Sequence, residues 1–460
     1  MTFSDYIDYL RGKRIGVIGF GVSNQPLVRV LLRNGCDVTV CDRRERAQLG
    51  AAGDEAAAQG AKFALGADYL EHLDFDVIFR TPGVLPIVPQ LRAAAQNGAI
   101  LTSEMEAFCN LCPCRILAIT GSDGKTTTST ITAELLRAQG YTVHLGGNIG
   151  TPLFDRIADI RPDDFAVLEL SSFQLHSMHC APDVAIITNI SPNHLDVHPD
   201  FEDYVSAKCS IYRGQRPDGV LVLNARDAHT PRFAAEALGG VRYFSSIGPV
   251  ENGVYCSDGV IYRAHGGKAE KLIDVSDIRI PGAHNVENYM AAFAATDGLV
   301  GQAACVQVAR SFAGVPHRME RIRELNGITF INDSIASSPT RTIAGLHALP
   351  KPPVIILGGH DKHIPFDELG DEVCLHAKAA VVVGETAQRI AAAIRGSKFY
   401  DPGKLPLVEA PDFHAAVETA YRLAQPGDTV TLSPACSSFD FFKNFAERGD
   451  TFRAIVEGLQ

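Results

Sequence analysis

Apolar positions along this 460-residue chain come in short runs, each followed by a Gly-rich turn and then a helical pattern. "RIGVIGFG" leads into "PLVRVLLRNG", and "DVTVCDRR" and "FDVIFRTPG" follow. Brief apolar runs bounded by turn signals predict buried strands, and the alternation with helical periodicity predicts βαβ units and parallel sheets. This first set closes near "LTSEMEAFCN". A second set opens with "RILAITGSDGKTTTSTITAELLRAQG" and continues through "DDFAVLELSS", "PDVAIITNIS" and "DGVLVLNARD". Between about 240 and 280, turns such as "ENGVYCSDG" predict hairpins or a meander, and the helix "NVENYMAAFAATDGLV" closes the set. A third set follows "AGVPHRMERI", with "ITFINDS", "PPVIILGG", "KAAVVVGE" and "DTVTLSPA" as strands. The expected fold class is α/β, in three domains spanning 1–107, 108–314 and 315–460.

Composition narrows the classes. The chain is 46% hydrophobic and 21% charged, as in globular proteins, and its length suits about three domains. A net charge of -11 argues against nucleic-acid or anionic-membrane partners, while leaving room for anionic small substrates. The N-terminal "MTFSDYIDYLRGKR" has acids and no long apolar run, and no stretch approaches a membrane span. Eleven cysteines without small-domain spacing read as reduced thiols, so a cytoplasmic location is expected. Cys109, Cys112 and Cys114 lack a second pair of Cys or His nearby, which favours a hinge or core role over zinc.

The string "ITGSDGKTTT" carries the first chemistry. The usual phosphate loop has a glycine five residues before Gly124, where this chain has Ile119. The setting nevertheless suits phosphate, because Gly121 to Lys125 lies between a predicted strand and a helix N-terminus. Glycines 121 and 124 allow close backbone approach, Lys125 reaches terminal phosphates, and the Thr126 hydroxyl faces a magnesium ion.

Other candidates fall at strand ends. Glu169 ends the strand of "LELSSFQL", and His194 and Asp196 lie in the loop of "ITNISPNHLDVH". Acids and imidazoles at the carboxyl ends of parallel strands border the crevice where α/β folds bind ligands. Lys208 in "YVSAKCSIY", taken alone, reads as a surface lysine, and "GGNIG" reads as a tight turn displaying Asn148. In the first domain, "GVIGFGVSN" followed by Asp42 mimics a dinucleotide fingerprint, but Asn24 occupies the third glycine position. Taken alone, this opens a second reading, an NAD-dependent oxidoreductase.

Read in order, "TGSDGKTTT", "GGNIG", "LELSSFQL", "NISPNHLDVH", "YVSAKCSIY", "GAHNVENYMAA", "GVPHRMERI", "FINDS", "LGGHDKH" and "LSPACSSFDFFKNFAERG" resemble the Mur ligases over nearly the whole chain. The shortened loop is that family's form. "SSFQL" and the last string resemble its D-glutamate-adding branch.

The resemblance implies a Rossmann-like UDP-sugar domain, a P-loop ATPase-type central domain and a Rossmann-like C-terminal domain that contacts ATP and the amino acid. It implies ATP-driven amide ligation of D-glutamate to UDP-N-acetylmuramoyl-L-alanine through an acyl phosphate, in peptidoglycan precursor synthesis. It also implies two magnesium ions and a Lys208 carbamylated by CO2. No nucleic acid or membrane partner is expected, and a monomer is expected.

By the same resemblance, ATP is bound by Gly121, Ser122, Asp123, Gly124, Lys125, Thr126, Thr127, Asn285, Asn288, Arg318 and Asp333. Metal is held by Thr126, Glu169, His194 and Lys208, and the catalytic set is Lys125, His194 and Lys208. Substrate is contacted by Val22, Ser23, Arg43, Arg44, Thr81, Pro82, Gly83, Asn148, Ser172, Lys362, Ser438 and Phe445. Helix capping is the alternative for Asn285, and a core position is the alternative for Phe445.

The chain departs from the family after "NDS". Ile335 stands where a lysine usually meets the D-glutamate carboxylate, Ser337 keeps a hydroxyl, and Arg341 could return the charge if the loop folds back. Ligation of another amino acid, or a folylpolyglutamate-type reaction, is the alternative within the class. A non-catalytic nucleotide-binding protein is the alternative outside it.

Overall fold

The structure, a computed structural model, describes residues 1–194, 197–361 and 364–460. The chain divides into two compact units, Met1–Phe312 and Ala313–Gln460. Among the described residues there are three sheets, two in the first unit and one in the second. Helices cover mostly parallel strands, which is the expected α/β class.

The first sheet has five parallel strands, in spatial order Lys62–Leu65, Asp37–Asp42, Arg14–Ile18, Val77–Arg80 and Ile100–Thr102. The strand Arg14–Ile18 is buried from Ile15 onward, as the continuous run "IGVI" requires of a strand covered on both faces.

The second sheet has nine strands. At its centre, Arg115–Thr120 pairs in parallel with Phe165–Glu169 on one side and Val184–Ile187 on the other. Val143–Gly147 lies beyond Phe165–Glu169. The chain therefore moves outward from the central strand, returns, and continues on the other side. This reversal opens a crevice at the carboxyl ends of the central strands. The opposite end is the expected meander, with Gly253–Ser257, Val260–His265 and Lys268–Asp274 antiparallel in sequence.

The third sheet, in the second unit, is parallel except for the edge pair Glu320–Leu325 and Ile328–Asn332. The strands Ile328–Asn332, Val354–Leu357 and Thr429–Leu432 run parallel, so the loops after Asn332, Leu357 and Leu432 share one edge.

Cys114 is buried in the first unit's core, and Cys109 and Cys112 pack against that core. The Cys112 and Cys114 sulfurs are 3.4 Å apart, and the Cys109 thiol faces Cys180, which together with burial pushes it up. This agrees with the core reading of the three cysteines. No helix among the described residues is long and apolar enough to cross a membrane.

Candidate active site

The phosphate-type loop joins the strand Arg115–Thr120 to the helix Lys125–Ala138. Gly124 is the helix N-cap, with φ 78°. Gly121 has φ 144°, and a Cβ there would sit 1.9 Å from Thr188 Oγ1. Any larger residue at 121 therefore meets both backbone strain and a collision.

Bonds from the neighbouring strand end fix the loop. Ser122 N donates to Asn189 O at 2.9 Å, and Thr188 Oγ1 donates to the Asp123 carbonyl at 2.6 Å. The Ser122 hydroxyl is buried, donates to Ser191 O and lies 2.9 Å from Tyr204 Oη. Its side chain thus holds the loop, and its role toward a ligand is left to the backbone.

Three strand ends meet at this loop. Thr126 Oγ1 donates to Glu169 Oε2 at 2.7 Å, and Asn148 Nδ2 donates to Glu169 Oε1 at 2.9 Å. Asn148 reaches it because Gly147 turns with φ 96°, where a Cβ would lie 2.1 Å from the Glu169 carbonyl. Glu169 is buried. A hydroxyl, a carboxylate and an amide make an oxygen-rich set that suits a hard cation such as magnesium.

Lys208 lies on the helix Phe201–Arg213 and is 2% exposed. It is not the surface lysine that its string alone suggests. Its Nζ donates to Gly121 O at 2.7 Å and sits 4.6 Å from the Tyr204 ring centre. Burial first, and the nearby Lys125 charge second, hold its amine well below the usual lysine range. The Lys125 ammonium also donates to Gly121 O, at 2.9 Å, and to Ser122 O at 2.8 Å.

His194 follows the strand Val184–Ile187 at the same sheet edge, in a left-handed conformation with φ 54°. Its exposed ring lies 5.0 Å from Phe173 and 6.5 Å from Tyr204. Lys125, Glu169, Lys208 and His194 therefore share one edge of one sheet. Asp196 and Lys362 lie outside the described residues.

Ser172, expected against substrate, is instead buried. Its Oγ is 3.0 Å from His198 Nε2, and His198 Nδ1 is 2.6 Å from Asp203. The preceding Ser171 is partly exposed and caps the helix Ser172–Leu175, so it is the serine nearer solvent.

Beside the loop is a cavity of about 160 Å³, lined by Asp123, Gly124, Thr188, Asn189, Phe244, His284, Glu287, Asn288 and Ala291. Asn288 lines it and accepts from Thr128 Oγ1 at 3.2 Å. Asn285 does not line it. Its amide donates to Pro281 O and its Oδ1 accepts from Asn288, while the helix N-cap is Gly282 without a side-chain cap bond, so Asn285 does not take the capping alternative. His284 and Glu287 were not among the expected residues, although 284, 287, 288 and 291 fall on one helical face.

In the first sheet, Asp42 accepts from Phe20 N at 2.7 Å and from Arg44 N, Nε and Nη2 at 2.8–2.9 Å. Burial alone would raise it, but these donors outweigh burial and hold it at about 2. Asp42 is thus engaged in fixing Arg44, which also donates to Phe20 O. That weakens the dinucleotide reading, which needs this acid for a ribose. Val22 and Arg43 are exposed, Ser23, Thr81 and Pro82 are partly exposed, and Gly83 is open. All follow carboxyl ends of the first sheet's strands.

Sequence reasoning passed over Arg80, which is 1% exposed. Its Nε and Nη2 donate to Ser177 Oγ at 3.0 and 2.8 Å, and Nη2 donates to Phe173 O at 3.0 Å. Nη1 makes longer contacts to the carbonyls of Thr81 and Val84, at 3.4 and 3.3 Å. One guanidinium thereby joins the 81–84 loop to the helix that follows Glu169.

The second unit carries the remaining candidates. Asp333 is buried, accepts from Met319 N and Ser433 Oγ, and is raised by burial to about 6. Arg318 and Arg341 both place positive charge near it. Arg341, on the helix Pro339–Ala348, turns back so that Nη1 lies 3.4 Å from Ile335 O. Ser438 is buried, whereas Phe445 is 39% exposed rather than core. Arg448, also unassigned from sequence, is buried and donates to Ser334 Oγ and to the carbonyls of Ser334, Cys436 and Ser437. It ties the loop after Asn332 to the loop after Leu432.

Residues 119–296 match the Mur ligase middle domain, and residues 317–436 match the Mur ligase glutamate ligase domain. The UDP-N-acetylmuramoylalanine–D-glutamate ligase of Acetivibrio thermocellus is 45% identical over 99% of both chains. A protein of the same name from Clostridium kluyveri is 43% identical over 100% of this chain and 99% of its own. Among solved structures, MurF from Acinetobacter baumannii has a TM-score of 0.57 at 19% identity, over 100% of this chain and 93% of its own, a likeness of fold. Similar to such relatives along its entire length, and built around the strand-end cluster described above, the chain belongs to the Mur ligase family.

Proposed function

We propose that this chain joins D-glutamate to UDP-N-acetylmuramoyl-L-alanine, using ATP, in the cytoplasmic synthesis of a peptidoglycan precursor. The observation that carries the reading is the meeting of Lys125, Thr126, Glu169, Asn148 and Lys208 at one strand edge. The names of the full-length relatives support the choice of substrates.

The chemistry follows from the groups present. A carboxylate is a poor acyl donor, so it first takes the γ-phosphoryl of ATP to give an acyl phosphate and ADP. The amine of D-glutamate then attacks the carbonyl, phosphate leaves, and the amine loses a proton. Two anions must approach in the first step. The N-terminus of the helix Lys125–Ala138 and the Lys125 ammonium supply the opposing charge. Asn148 and Thr126 hold the Glu169 carboxylate in place.

Thr126, Glu169 and His194 would hold magnesium, which supplies charge neutralisation between carboxylate and triphosphate. Lys208 fits a carbamate because burial, and then the Lys125 charge, favour the neutral form of its amine. A neutral amine adds CO2 to give a carbamate anion and a proton, and that anion would help hold a second magnesium ion. The cavity beside Gly124 would take the adenine, and the edge carrying Arg44 and Thr81 would take the uridine diphosphate. We assign the domains 1–107, 108–314 and 315–460 to UDP-sugar, ATP and amino-acid contacts respectively, acting in a monomer. Lys362, Ser438 and Phe445 belong to the amino-acid side of this reading.

The test is phosphate release with ATP, UDP-N-acetylmuramoyl-L-alanine and single amino acids, with the product identified by mass. Release with D-glutamate and not with L-glutamate, L-lysine or D-aspartate is expected. Release that needs a different amino acid would overturn the assignment.

A further inference from the structure

We propose that His347, Glu372 and His376 bind one borderline transition-metal cation, of the zinc class, at a surface site separate from the ligase machinery. His347 is in the last turn of the helix Pro339–Ala348, and Glu372 and His376 are one turn apart on the helix Asp367–His376. His347 Nε2 lies 2.6 Å from Glu372 Oε2, and His376 Nε2 lies 3.3 Å from the same oxygen. One ligating atom from each residue falls within 4.8 Å of the others. Metal–ligand bonds of about 2.0–2.1 Å in a tetrahedron place ligand atoms roughly 3.3 Å apart, so small side-chain rotations open room for the ion.

Two further features point to a cation. Both helices end at this cluster, so their C-terminal dipoles present negative partial charge to it. The backbones are also anchored, because Leu346, next to His347, and Leu369 and Val373, beside Glu372, are buried in one shared cluster. The three side chains are 49%, 24% and 46% exposed, which leaves a solvent-facing position for a water ligand. Two imidazoles and one carboxylate favour zinc, cobalt or nickel over magnesium, which prefers oxygen donors. Magnesium serving the ligation therefore does not compete here. When bound, the ion clips the C-terminal ends of the two helices together. The first of those helices begins just after the loop that carries Asp333 and Ser337.

The test uses the full, tag-free chain titrated with Zn2+ against a chromophoric chelator in excess Mg2+. His347→Ala and Glu372→Gln should each weaken one binding equivalent by more than about a hundredfold, the upper end of what losing even an outer ligand partner costs. His376→Gln, at the helix end, is an independent third variant. Ligase turnover and helix content should be unchanged in all three. His414→Ala removes an exposed His–Glu pair at 3.6 Å with the same one-turn spacing and should leave binding intact. With Co2+, the equivalent lost in the variants should show visible ligand-field bands without thiolate charge transfer. If the variants keep the parent's stoichiometry and affinity, or the lost cobalt signal carries a thiolate band, the cluster is an ion pair only and the proposal fails.

Discussion

Replacing Arg80 by methionine removes a buried guanidinium while keeping most of its volume. Burial holds Arg80 at about 10, well below its ordinary value. Keeping it charged at neutral pH therefore costs the fold about 3 kcal/mol. Against this stand three bonds of 2.8–3.0 Å, to Ser177 Oγ twice and to Phe173 O. Charged donors contribute about 1.5–3 kcal/mol each, roughly 5–9 kcal/mol together, with little from the contacts at 3.3–3.4 Å. The net loss in Arg80→Met is about 2–6 kcal/mol, since the Phe173 carbonyl and the Ser177 hydroxyl also lose their buried partner. Arg80→Lys, with all its donors on one atom, should fall between. Chemical denaturation followed by far-ultraviolet circular dichroism measures the loss. Because Arg80 also holds the 81–84 loop, KM for the UDP substrate should rise more than kcat falls. A loss under about 1 kcal/mol together with an unchanged KM would show that these bonds hold neither the fold nor the loop.

Lys208→Ala should abolish turnover, and short carboxylic acids added to the assay should restore part of it. Absence of rescue alongside wild-type stability would count against the carbamate. Glu169→Gln should raise the Mg2+ concentration needed for half-maximal phosphate release by at least tenfold, on the order of what disturbing a metal's ligand shell costs; an unchanged requirement would place the metal elsewhere. Gly121→Ala forces a Cβ against Thr188 at a φ that side chains rarely adopt, so nucleotide protection against thermal unfolding should disappear. Glu104 is raised by burial to about 7, above its unfolded value. The folded state thus binds this proton more tightly, and stability is complete below about 4.5 and lost as pH rises through 7, by up to about 3 kcal/mol. Glu104→Gln should flatten that part of the pH–stability curve, and an unaltered slope would exclude Glu104 as its source.

The parallel sheets were legible because strands covered on both faces read as unbroken apolar runs, as in "ILAIT" and "VIIL". The positions of Lys125 and Glu169 were equally legible, since each stands at or just beyond the end of such a run. Asn148 was legible only as a turn residue, because the strand before it, Val143–Gly147, is half-buried and carries His144. Lys208 could have been placed by pattern. Tyr204, Val205, Lys208, Cys209 and Tyr212 form one buried helical stripe, and a lysine on such a stripe is not a surface residue. Arg80 and Arg448 could not be read this way. Many of their acceptors are peptide carbonyls, which every residue carries and no string advertises. The same holds for Ser172 and Ser171, whose roles depend on which of two adjacent serines caps a helix of only four residues.

The Gly121 carbonyl accepts from two lysine side chains, Lys208 at 2.7 Å and Lys125 at 2.9 Å. The Lys125 charge makes a positive charge on Lys208 harder to keep. A carboxyl group gained on Lys208 would place a negative charge beside the Lys125 ammonium, which must be positive to meet a triphosphate. By thermodynamic reciprocity, whatever strengthens one event strengthens the other to the same degree. Dissolved carbon dioxide and the adenine nucleotide should therefore titrate this protein as mutually cooperative ligands, joined through a single peptide oxygen.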